Sequence, residues 1–74
     1  MEIEDVKLGS IWYFVYVDFV KDEKLYSATV EIIESDGDIH EAKITNINTG
    51  SEDIDLNLSE KEENEIIKAA LWKI

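Results

Sequence analysis

Carboxylates make up nearly all the chemistry this chain offers. Eighteen Asp and Glu stand against seven Lys, with no Arg, no Cys and one His, for a formal charge of −11. Without Cys there is neither a thiolate nucleophile nor a disulfide, and without Arg there is no bidentate phosphate clamp. A zinc site needs three or four N or S ligands, which His40 cannot assemble alone. As the one imidazole, in a strand beside Glu41, it reads as structural. Gly9, Gly37 and Gly50 stand singly and form no phosphate-cradling loop. Paired carboxylates do acid and base work only where their surroundings push their pKa values apart, and nothing in the sequence marks such a pair. Asp36-Gly37-Asp38 and Glu52-Asp53-Ile54-Asp55 are the calcium-like clusters, yet neither has the alternating acids, central Gly and final Glu of an EF-hand loop. The expectation is therefore a protein that is not an enzyme and holds no metal or cofactor.

The acids are better suited to recognition. Glu31, Glu34, Asp36, Asp38 and Glu41 fall together without one Lys, and a second run from Glu52 through Asp53 and Asp55 to Glu65 is offset only by Lys61. Binding nucleic acid requires a basic footprint, so this chain repels phosphates and direct nucleic-acid binding is not expected. Summed negative charge instead speeds encounter with a basic partner and resists wrong ones. A carboxylate-studded surface can also occupy a groove built for a duplex, which makes a basic, nucleic-acid-binding protein the expected partner. The plain alternative is that these acids form solvated faces and nothing more.

These groups must be placed by elements the sequence marks clearly. Ile11 to Val20 is dense in aromatic and β-branched residues and reads as a strand. After the polar break Lys21-Asp22-Glu23-Lys24, Tyr26, Ala28, Val30 and Ile32 alternate with Ser27, Thr29 and Glu31 as a second strand. Asp36-Gly37 tolerates the positive φ of a type I′ turn, so a third strand returns from Ile39 to about Ile47, with His40 on the face of Ala42 and Ile44. Asn48-Thr49-Gly50-Ser51 is a further turn, and Ile54, Leu56 and Leu58 alternate as a candidate fourth strand. Ser59 and Glu62 form a capping box that opens a helix, whose sheet-facing stripe is Ile67, Ala70, Leu71 and Ile74 with Ile66 at its margin. Trp72 points away from that stripe. Residues Ile3 to Leu8 fit a helical turn or an edge strand equally. The fold class is α+β: one domain over residues 1–74, an antiparallel meander of three or four strands with one C-terminal helix on one face.

Strand one has more apolar surface than that fold can cover. One face carries Ile11, Tyr13, Val15, Val17 and Phe19, the other Trp12, Phe14, Tyr16 and Val20 with only Asp18 polar. An antiparallel sheet covered by one helix normally leaves its second face polar. Either strand one is central and the N-terminal segment folds across this face, or the face is an interface. In the second case Trp12, Tyr16 and the off-stripe Trp72 are anchors for a partner or for a homodimer, and Glu31, Glu34, Asp36, Asp38, Glu52, Asp53 and Asp55 steer the encounter.

The N-terminus is acidic where a signal peptide is basic, and the longest mostly apolar run is half a membrane span, so a cytoplasmic protein without a membrane partner is expected. A small acidic chain with a strand meander, an Asp-Gly turn and then Ile54-Asp55-Leu56-Asn57-Leu58-Ser59 leading into an acid-rich helix resembles small phage-encoded inhibitors of the anti-CRISPR and anti-restriction type. The resemblance implies a stoichiometric inhibitor, active in the host cytoplasm, that occupies the nucleic-acid channel or a regulatory surface of a bacterial defence protein. The alternative is a structural homodimer, or a subunit of a larger complex, whose acidity only maintains solubility.

Overall fold

The computed structural model describes residues 1–6 and 9–74. Four strands, β1 (Ile11–Lys21), β2 (Lys24–Ser35), β3 (Asp38–Asn48) and β4 (Asp53–Ile54), precede one helix, α1 (Glu60–Leu71). The sheet is antiparallel throughout, in the order β1-β2-β3-β4, with the helix packed on one side. This is the α+β meander expected from the sequence, including the fourth strand, which is only two residues long.

Turn chemistry sets the register. Asp36 and Gly37 both take positive φ, as the Asp-Gly pair foretells. The first hairpin turns on Asp22 and Glu23, at φ 51° and 65°, a left-handed conformation that side chains other than Gly adopt at a cost. Its closing pair is Lys21 opposite Lys24, two like charges. That conflict is relieved because Lys21 reaches the helix and bonds Glu62 at 2.5 Å.

The core is small and lies between the sheet and α1. It consists of Tyr26, Ala28, Val30 and Ile32 on β2, Ile47 on β3, and Ile66 and Ala70 on the helix. Odd-numbered residues of β1 line its margin, and Phe19 stacks on its cross-strand partner Tyr26 with ring centroids 5.5 Å apart. Leu56 and Leu58 pack here too, so their alternation marks an extended segment beyond the short β4 rather than more ladder.

Two expectations are corrected in detail. The buried helix stripe centres on Ile66 and Ala70, with Ile67 and Leu71 at its margin. Ile74 falls outside it, because the helix ends at the Trp72 cap. The regular alternation that would set His40 on the face of Ala42 and Ile44 is broken at His40 itself. The β2–β3 register shifts between Ile33 and Glu34, leaving His40 without a cross-strand partner in an exposed bulge.

The helix start is tied to the sheet through one carboxylate. The Glu62 amide donates to the Ser59 hydroxyl at 3.2 Å, and one Glu62 oxygen accepts from the Ser59 amide at 3.0 Å while the other accepts from Lys21. The Lys21 bond first, and the Ser59 amide after it, hold the Glu62 carboxyl down to about 2 from an ordinary 4.5. Because the folded value lies below the unfolded one, this contribution is complete above about pH 4.5 and fades as pH falls toward 2. Urea titrations at neutral pH should show Ser59→Ala less stable by about 1 kcal/mol. Glu62→Gln should be weaker than wild type at neutral pH, with the gap closing toward pH 2. A gap independent of pH would remove Glu62 from this role.

Candidate docking face

The sheet's second face is open, and its apolar side chains gather on β1. Trp12, Phe14 and Tyr16 are 58%, 57% and 71% exposed, followed along the strand by Asp18 and Val20. Their cross-strand partners on the same face of β2 are Ile33, Glu31, Thr29, Ser27 and Leu25. On β3 the same face turns polar, with Glu41, Lys43, Asn46 and Asn48 opposite β2. The outer face is thus apolar along β1 and polar along β3. At roughly 200 Å² per aromatic side chain, the three rings leave on the order of 350 Å² accessible, within the range of the largest patches on monomeric proteins.

The idea that β1 is central, with the N-terminus folded across it, is overturned. β1 is an edge strand, and Met1, Ile3 and Val6 of the described N-terminal residues are all exposed, as are Trp12, Phe14 and Tyr16. The choice between a helical turn and an edge strand over Ile3 to Leu8 falls partly outside the described residues, and residues 1–6 have no regular structure. The chain exposes 5962 Å², against about 4,700 Å² for a compact monomer of this mass. Its radius of gyration is 16.0 Å, where about 11 Å is usual for the length. Both values fit a sheet whose second face carries exposed aromatic side chains.

The structure groups the expected site residues in three places. Trp12, Tyr16 and Glu31 share the outer face, with Phe14 between the rings and directly opposite Glu31. Glu34, Asp36 and Asp38 lie at the sheet end where β1 begins, since Glu34 pairs with Ile11 and the β2–β3 turn follows. Glu52, Asp53 and Asp55 lie around the β3–β4 turn at the other end, where Asp53 also accepts from Asn46 at 3.1 Å. An 11-residue strand separates the two acid groups, roughly 35 Å, about one turn of duplex DNA. Trp72 is not part of the aromatic row: it caps α1, on the other side of the sheet, and is 82% exposed.

Leu25 and Ile33 belong to the patch without having been singled out from the sequence, which placed Phe14 on this face but not among the anchors. Pairing the first two strands across Asp22-Glu23 would have found Leu25 and Ile33, because that two-residue turn sets which residues face each other.

Hollows elsewhere offer less. One, about 680 Å³, is an open strip along the solvent side of α1 between Ser59 and Lys68, with lining from that element and its cap only. Among the described residues no three His, Cys, Asp or Glu side chains gather as metal ligands. Among the described residues no helix is long and apolar enough to cross a membrane. No protein-family model, curated protein or solved structure matches the chain.

Proposed function

We propose that this chain is a stoichiometric protein-binding module that docks a basic, nucleic-acid-binding partner on the outer face of β1 and β2. The observation that carries the reading is the row Trp12, Phe14 and Tyr16, half or more exposed on the face opposite the helix, in a chain of net charge −11. Exposed aromatics arranged in a row form the desolvated centre of an interface, and the charge around them sets which partner approaches. Glu31 sits inside the patch, and the carboxylates at both sheet ends form its rim. A partner surface that normally holds phosphates fits both features, since it offers cations to the rim and loses access to nucleic acid once covered. The resemblance to phage inhibitors gives the setting in which such exclusion is useful: a mobile-element protein blocking a bacterial defence protein.

Capture from bacterial lysate on immobilised chain tests this, when followed by elution with heparin or duplex DNA. Retained proteins should be basic and should come off with either polyanion. Raising salt from about 50 to about 500 mM should slow association markedly. Retention that neither polyanions nor salt affect would contradict a basic partner. Light scattering across micromolar concentrations addresses the alternative, since a dimer that closes over the aromatic row would leave no face for a partner.

A further inference from the structure

The two edges of the sheet are built differently. At one edge β4 is two residues long and carries Asp53, with Glu52 and Asp55 beside it, a short charged edge of the kind that discourages pairing. At the other edge β1 runs for 11 residues in continuous register with β2, and both register shifts of the sheet lie between β2 and β3. β1 has no Pro and no bulge, and its only charges are Asp18 and the terminal Lys21, which is turned to the helix. Among the described residues nothing pairs with its outer side. Every second residue of β1 therefore presents an unpaired N–H and C=O outward, beside an exposed aromatic row.

Charge decides what fits there. The middle of β1 is neutral, while carboxylates stand at both ends: Glu34, Asp36 and Asp38 where it begins, and Asp18, Asp22 and Glu23 where it ends. A second copy would bring another net −11 against the first. An extended segment with an apolar centre and cationic ends matches the edge along its length.

We infer that the free edge of β1 takes up an extended, lysine- or arginine-flanked segment of the partner as a fifth strand, by β-strand addition. This rests on the protein-binding reading above and specifies its mode. Main-chain hydrogen bonds would hold the segment in register, and its outward side chains would extend the apolar surface of Trp12, Phe14 and Tyr16.

The probe is a nine-residue peptide with valine and threonine alternating over five central positions and two lysines at each end. Two further peptides carry N-methyl groups on alternate central amides, one on the odd set and one on the even set. Only one set can face β1, so one methylated peptide should bind at least about tenfold more weakly and the other about as well as the parent. Exchange of the outward β1 amides should slow on binding, and glutamate in place of the lysines should abolish it. Absence of binding, equal binding by both methylated peptides, or unprotected β1 amides would overturn strand addition. Amides of β1 already protected in the free chain, increasingly so with concentration, would overturn it in favour of a second copy. If the peptide fails while lysate capture still depends on Trp12 and Tyr16, only the mode falls; if capture is equally indifferent to those rings, the docking reading falls with it.

Discussion

Ile32→Ala should cost about 2–5 kcal/mol of folding stability, a large share of the total for a domain of this size. Ile32 and Val30 are the largest side chains with no exposure, both on the central strand. Among the described residues only seven are buried, and two of those are alanines. Few neighbours can move in to fill a cavity under α1, so both the lost transfer energy and the void should be felt. Urea unfolding followed by circular dichroism would show the midpoint falling at unchanged slope. The matching change on the other face, Phe14→Ala, should stay within about 0.5 kcal/mol, because Phe14 is more than half exposed. Similar losses from the two changes would mean that the outer face is packed in the free chain.

The second large effect separates binding from folding. Trp12→Ser with Tyr16→Ser should leave the unfolding midpoint nearly unchanged, yet weaken partner capture by about a hundredfold or more, since aromatic anchors at the centre of an interface commonly contribute 2 kcal/mol or more each. Asn46→Ser and Lys43→Ser, on the polar β3 side of the same face, are the controls and should bind like wild type. Trp72→Ser should also bind normally, because Trp72 lies across the sheet from the row. Full capture by the Trp12/Tyr16 variant would move the contact elsewhere. Loss of capture on Trp72→Ser would place it on the helix side.

Much of this architecture is legible in the residues because local chemistry decides it. Asp36-Gly37 encodes its turn by tolerance of positive φ, and Ser59 with Glu62 encodes the helix start by satisfying free amides. The separation of the acidic runs follows from the same signals, as turns of a meander alternate between sheet ends. The position of β1 in the sheet is not local. A strand apolar on both faces reads as a central one, and β1 is an edge strand whose second face remains uncovered. Sequence periodicity reports which side chains are apolar, and not whether another element of the same chain covers them. The His40 bulge is hidden for a related reason: alternation assumes an unbroken ladder, and one unpaired residue reverses the face of everything before it.

Hydrogen exchange of the backbone amides, compared between the free chain and the chain held by a captured partner, probes the docking face most directly. Protection should rise across Ile11–Lys21 and stay unchanged along the solvent side of α1. Protection that appeared on α1 or at the acidic turns, with Ile11–Lys21 exchanging as in the free chain, would contradict the assignment of the contact to the aromatic side of the sheet.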